Sequence, residues 1–514
     1  MWSDVGMGER LSVVDRLTEQ GITPIPVDQG VEIMRRLVTD PGVEGVVVIS
    51  GRTEGVATVR RDEPELPLLR FVGTPLIRYH GVELVSEVEL NAGTDLYLAD
   101  HLLDGNLLFP AVIGMEAMSQ VACAATGRQE APVIERAAFS RPIIVPPGAS
   151  TALRIAAAAT GDDTVAVTIR SAETGFEVDH FSAELRFDAG PCPEGPPGQI
   201  PDGLPPVALE PDTDLYGQVL FQGARFQRLR RYHRAAARHV DADLAVERDG
   251  SWFAGYLPGG LLLGDPGMRD ALMHGNQVCV PDATLLPTGI DRVRPGGLAL
   301  DDLDEVRYCA AERSRDGDTY VYDIAVRAKT GELVERWEGL RLQAVRKQDG
   351  RGPWAAPLLG PYVERRLGDL VGASVAVVAE PGDDLTDLAR QRLHTTPPGT
   401  TALAHVPGLT LCVAGAQPVA CAITPVGGGA QEPAHAVPEE QAAAYAEVAG
   451  RIAAQAGRAA TSPKPASARW WPACAAPSSP RPTRRSCTRT PATAGSCWPR
   501  RAPASRPWRP PYGA

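Results

Sequence analysis

The chain has no CxxC pair among its nine cysteines, which are scattered along its length. Neither a zinc site nor a disulfide framework is therefore signalled. No apolar run reaches about 18 residues, the length a membrane-spanning helix needs. No basic leader followed by an apolar stretch opens the sequence, so secretion is not signalled and a cytoplasmic location is expected. A net charge of −12 argues against nucleic acid as a partner. At 514 residues and 44% hydrophobic content, the chain is long enough for several globular domains.

The last stretch lacks more. From Ala456 to Ala514 there is no Asp, Glu, Leu, Ile, Val, Phe or Met. It holds 11 of the 51 Lys and Arg and none of the 63 acids, which leaves the rest of the chain at −23. Such a segment cannot bury a core and is expected to be disordered. Its Arg, Pro, Ala, Ser, Cys and Trp mixture is what out-of-frame reading of a GC-rich gene gives, and no function is expected of it.

What is present is more specific. His101 is followed by Gly105 four residues on and Pro110 nine residues on, directly before an apolar run. Nine His, 52 Gly and 47 Pro in 514 residues leave about 0.08 chance occurrences of this spacing, so it carries information. Gly105 permits a tight turn, and Pro110 fixes φ where a helix can begin. Ala111 to Thr126 then reads as a buried helix. The free N–H groups at its start could polarise a carbonyl while His101 removes a neighbouring proton. An ordinary structural histidine is the bland alternative.

A second constellation follows a Pro/Gly turn at Pro266-Gly267. Asp270 and His274 stand four apart and share one helical face. Alone, Asp270 would pass for an aspartate in a helix's first turn, with His274 a solvated neighbour. Tyr216, Gly223 and Phe226 make a YxxxxxxGxxF element, and Leu286 to Val293 reads LPTGIDRV.

Taken in chain order, the four elements resemble the dehydratase region of iterative type I polyketide synthases. The wording around His101, Phe109-Pro110 and Leu220 to Gly223 is most similar to enediyne synthases. The resemblance covers most of residues 40–348. It implies elimination of water from a β-hydroxyacyl thioester held on the phosphopantetheine arm of an acyl carrier protein. His101 would be the base and Asp270 the acid, its carboxyl kept protonated by burial. His274 would orient that carboxyl or the leaving hydroxyl. Gly105, Pro110, Gly114, Tyr216, Gly223 and Phe226 would shape the substrate site, with enolate stabilisation near Gly114 or Gly105. No bound cofactor and no metal are implied. The partners implied are the carrier protein and other synthase domains, with homodimerisation left open.

The fold expected is α+β, a double hot-dog: one helix wrapped by an antiparallel sheet, twice. Period-2 runs after each helix motif support it. The expected organisation is a ketoreductase-like remnant over 1–72 and a first half over 73–187. A Pro/Gly-rich linker over 188–211 precedes a second half over 212–348. A degenerate phosphopantetheinyl-transferase-like segment spans 349–455, and the tail 456–514. Within the remnant, Gly45 to Arg52 reads as a last parallel strand, but no GxGxxG turn precedes it and no reductase activity is expected. Where the transferase family carries a magnesium-binding Asp-x-Glu, Ala422 and Thr424 stand here, so no transferase activity is expected either. Two rivals share the fold: a thioesterase, and a non-catalytic carrier-binding or dimerising module.

Overall fold

The computed structural model describes residues 24–43, 45–47, 49, 63–188, 190, 192–198, 203–248, 250–295, 300–347, 354–372, 374–382, 385–393, 400–416, 419–425 and 466–472. Helix α1 (Val27–Thr39) precedes the main body. The first half then runs β1 (Thr74–Tyr79), β2 (Glu83–Leu90), β3 (Leu102–Leu103), β4 (Asn106–Leu108), α2 (Ala111–Thr126), β5 (Val133–Phe139), β6 (Ile144–Val145), β7 (Thr151–Ala159), β8 (Thr164–Ser171) and β9 (Phe181–Arg186). The second half runs β10 (Leu229–Ala235), β11 (His239–Ala245), α3 (Pro266–His274), β12 (Ala283–Pro295), β13 (Glu305–Asp316), β14 (Thr319–Ala328) and β15 (Leu333–Lys347).

Twelve of these strands form one antiparallel sheet, ordered β1-β2-β7-β8-β9-β5-β12-β15-β14-β13-β11-β10. Read inward from either edge, both halves follow the same order, with the strand after the helix innermost. The architecture is a double hot-dog of α+β class. The halves join through β5 and β12, where Ile290 faces Ala137 and Val293 faces Ile134. The two expected sheets are therefore one continuous sheet, because the third strand of each half offers its free edge to the other.

Local chemistry explains the elements. Along β8 burial alternates strictly from Thr164 to Ser171, as a strand with one face on a core requires. Helix α2 begins after Pro110 at φ −67° and stops at Gly127, whose φ of 76° is the left-handed C-cap glycine favours. All of its residues except Thr126 are buried, so it is the axle of the first half rather than an amphipathic surface helix. Helix α3 has Pro266 at its first position and Asp265 as N-cap, whose carboxylate accepts from the Gly267 N–H at 2.8 Å. Every residue of α3 is buried.

The flanks depart from expectation. Half of Gly45 to Arg52 lies outside the described residues. Val46, Val47 and Ile49, which are described, are exposed and in no strand, and no strand among the described residues covers them. After the second half come α4 (Leu359–Val371), β16 (Val375–Glu380), α5 (Thr386–Leu393), β17 (Thr400–Val406), β18 (Leu409–Gly415) and β19 (Val419–Pro425). Strands β16, β18 and β17 form a small antiparallel sheet in that order. Ala422 and Thr424 fall in β19. Ala466–Pro472, expected to be disordered, instead pairs as β20 with β19. A backbone ladder asks only for N–H and C=O groups, which the tail's composition does not remove. The rest of 456–514 lies outside the described residues.

Candidate active site

His101 stands at the end of a short 3-10 turn (Leu96–Asp100), and the chain then folds into a hairpin of β3 and β4. The hairpin loop is Asp104-Gly105, with φ of 51° and 80°. Both positive angles are those of a type I′ turn, which Asp-Gly sequences favour. The hairpin returns Leu108 to His101. The Leu108 N–H donates to the His101 carbonyl at 3.0 Å, and His101 Nδ1 lies 3.1 Å from the Leu108 carbonyl. That carbonyl can only accept, so Nδ1 carries the hydrogen and Nε2 keeps its lone pair.

Nε2 faces the second half. It lies 4.0 Å from Asp270 Oδ1, and both side chains are buried. The imidazole is packed edge-on by Phe221 and Phe226, with ring centres 5.1 and 5.4 Å away. Burial holds His101 below the ordinary histidine value, opposed by Asp270 and by the bond to Leu108. A neutral histidine with a free Nε2 follows.

Asp270 is held from the other side. Its Oδ2 is 2.9 Å from His274 Nδ1, one turn further along α3. His274 Nε2 lies 3.2 Å from the Tyr216 hydroxyl, which accepts from the Leu229 N–H at 3.3 Å. Burial pushes the Tyr216 phenol up, so it keeps its proton. The chain then has one consistent direction: Leu229 N–H to Tyr216, Tyr216 O–H to His274 Nε2, His274 Nδ1–H to Asp270 Oδ2. Oδ1 is left pointing at His101. Next to it in sequence, Arg269 reaches Glu335 of β15 at 2.6 Å, a buried pair that pins α3 to the sheet.

The structure thus brings His101, Asp270, His274, Tyr216 and Phe226 together. Pro110 sits at the N-cap of α2. Gly223 serves the site through its backbone. Its N–H donates to the Asp100 carbonyl at 2.7 Å, and a Cβ there would overlap Asp100. The salt bridge from Arg225 to Asp100 fastens the same contact.

Two expectations are corrected. Gly114 cannot polarise a substrate carbonyl, because its N–H is taken by the Pro110 carbonyl at 2.9 Å. It instead lets Phe181 approach, where a Cβ would stand 2.5 Å from the ring. Gly105 lies at the exposed tip of the hairpin, away from the pair. The donors nearest the start of α2 are the N–H groups of Ala111, Val112 and Ile113, which precede the first intrahelical bond. Asp270 is the fifth residue of α3, and His101 lies outside any α-helix.

Sequence reasoning missed Phe221 and the Leu108 carbonyl. Phe221 adjoins the YxxxxxxGxxF glycine region, a signal that was available. The carbonyl carries no residue code and becomes visible only with the hairpin.

A neutral base and a carboxyl about 4 Å apart, one from each half, can remove a proton from one atom and deliver one to the next. The duplicated helix-wrapped sheet places the chain in the hot-dog class. Residues 73–172 match the polyketide synthase dehydratase domain family, and residues 195–352 match the family described as polyketide synthase dehydratase N-terminal domain. The chain carries a polyketide synthase dehydratase domain. No curated protein matches it.

Solved structures similar to it include the dehydratase domain of PpsC from Mycobacterium tuberculosis in complex with C12:1-CoA. That match has 17% identity and a TM-score of 0.43, and covers 54% of this chain and 100% of that one. GphF Dehydratase 1 matches at 16% identity and 0.42, over 54% and 100%. The dehydratase domain from the CurF module of curacin polyketide synthase matches at 15% and 0.40, over 55% and 100%. Among the described residues, no helix is long and apolar enough to cross a membrane, and no group of three or more His, Cys, Asp or Glu is gathered for a metal.

Proposed function

We propose that this domain removes water from a β-hydroxyacyl group carried as a thioester on the phosphopantetheine arm of an acyl carrier protein, within an enediyne-type polyketide synthase. The observation that carries it is the 4.0 Å approach of His101 Nε2 to Asp270 Oδ1 across the two halves. His101 Nε2 takes the α-proton. The α-carbon pair forms the double bond as the β C–O bond breaks, and the proton on Asp270 Oδ1 goes to the departing hydroxyl, which leaves as water. The products are the α,β-unsaturated thioester, imidazolium and carboxylate, and returning the proton across the pair restores the starting state.

Because Nδ1–H is fixed on Leu108, the imidazole presents Nε2 without reorientation. Because His274 donates to Oδ2, the acidic proton is confined to Oδ1, on the side of the base. The N–H groups opening α2 are candidates to stabilise the enolate, worth about 3 kcal/mol per donor in acyl chemistry. No cofactor or metal enters this scheme, and the setting is cytoplasmic.

The test uses the full chain, a β-hydroxyacyl carrier-protein thioester and mass spectrometry. Loss of about 18 Da, abolished by His101→Ala and by Asp270→Asn, is the expected result for this acid–base pair. Release of free acid would make the domain a thioesterase. No reaction from folded protein would leave a binding module.

A further inference from the structure

We propose that Glu116 is a positioning residue that sets the spacing of the catalytic pair by tying α2 to the loop that leads into α3. The inference rests on His101 and Asp270 acting as base and acid. Glu116 is the only Asp, Glu, His, Lys or Arg of α2, a largely apolar helix, and is 1% exposed. A buried carboxylate is costly unless its oxygens are occupied. Here three N–H donors converge on it. Leu262 N–H reaches Oε1 at 2.7 Å, Gln120 Nε2 the same oxygen at 2.8 Å, and Leu263 N–H reaches Oε2 at 2.8 Å.

Two of those donors are consecutive backbone groups of the second half, in a stretch with glycine at 255, 259, 260 and 264. Such a loop has little stiffness of its own. Its fixed course therefore depends on what grips it. Gln120, one turn along α2, adds a second grip by donating to the Gly260 carbonyl at 3.2 Å while its Oε1 accepts the Phe71 N–H at 3.0 Å.

The two ends of this link lead to the two catalytic groups. Backward from α2, Pro110 and Phe109 lead to Leu108, the residue that holds the His101 ring. Forward from Leu263, Gly264 leads to Asp265, the N-cap of α3, and Asp270 is five residues beyond. Asp265 itself is fixed by Arg228 at 3.0 Å and the Glu247 N–H at 2.9 Å, so the loop's far end is anchored to the second half. Glu116, with Gln120 beside it, anchors the stretch just before α3 to the first half, while Ala254 further back donates to the Thr94 carbonyl at 2.9 Å. A shift of the loop along α2 would move Asp270 relative to His101, and errors of about 1 Å in such geometry cost up to about a hundredfold in rate.

The experiment is Glu116→Gln in the full chain, with amide hydrogen exchange beside steady-state dehydration kinetics. The glutamine amide would turn a donor toward the Leu263 N–H. Leu262 and Leu263 should exchange about tenfold faster or more while β14 and β15 keep wild-type protection. With KM unchanged within about twofold, kcat per folded molecule should fall about tenfold to a hundredfold.

Accelerated exchange with wild-type kcat would overturn the proposal, since the anchor would then be structural only. Unchanged exchange would overturn it too. Should E116Q fail to fold, Glu116→Asp keeps the carboxyl but withdraws it by one methylene, and wild-type kcat in that variant is again fatal. A wild-type chain without dehydratase activity would sink the acid–base reading instead, while the exchange of Leu262 and Leu263 would still report on the anchor.

Discussion

Gly223 and Asp100 are in backbone contact across the two halves, with the Gly223 N–H donating to the Asp100 carbonyl at 2.7 Å and no room for a Cβ between them. Asp100 is the residue before His101, so this contact braces the base from behind. Gly223→Ala is expected to push the 3-10 turn away, destabilise the domain by about 1–3 kcal/mol and lower kcat. Urea denaturation and dehydration kinetics on the same preparation check it. Wild-type values in both would show that the contact is slack.

Gly105 makes the opposite case. Its φ of 80° is demanded by the hairpin, and its position is exposed. Gly105→Ala should cost about 1–2 kcal/mol of stability and leave KM for the acyl thioester unchanged at temperatures where the protein is folded. A raised KM would restore Gly105 to the substrate site.

In the proposed mechanism His274 works through Asp270, to which it donates at 2.9 Å, rather than on the substrate. His274→Gln keeps a side-chain donor within reach of Oδ2 and should retain activity within about tenfold, whereas His274→Phe removes the donor and should lose more, by up to about a further tenfold for a neutral hydrogen bond of about 0.5–1.5 kcal/mol. Equal losses in the two variants would mean that the hydrogen bond to Asp270 does not matter.

Tyr216→Phe deletes the acceptor of the Leu229 N–H and the donor to His274 Nε2. Leaving buried groups unpaired costs about 1–3 kcal/mol, to be read from the denaturation midpoint. Activity should fall less than in His274→Phe, because His274 still reaches Asp270 directly.

The pH dependence follows from burial. His101 must be neutral to act, and burial holds it below its ordinary value of 6.5. Activity is therefore expected to persist as pH falls through 6.5 and to be lost only below it. Phe226→Ala admits water to the imidazole, weakens the desolvation that lowers it, and should move the acidic limb of kcat/KM upward. The same depression means the unfolded chain binds a proton at His101 first, so this group's contribution to stability is lost as pH falls below the unfolded value. A limb that does not move would place the origin of the shift elsewhere.

Much of the fold was legible. Pro110 and Gly127 bracket α2, and strict alternation marks β8, because these signals are local. The pairing of β5 with β12 was not legible, since a match between strands some 150 residues apart leaves no mark in either one. In the site, the spacings of His101 and Asp270 pointed to residues that do meet. Gly105 and Gly114 were placed near the substrate because a glycine's usefulness lies in what it lets neighbours do, and that depends on φ and on Phe181 rather than on the motif. Asp104-Gly105 did carry the hairpin signal, in its two-residue form.

The seam between β5 and β12 has a consequence for the covalent chain. The halves are linked in sequence by residues 188–211 but held in register by a ladder of backbone hydrogen bonds. The tether therefore governs how often the halves meet, as an effective concentration, while the ladder governs how they fit. A chain nicked within the tether would remain a single catalytic body for as long as its two pieces stayed associated.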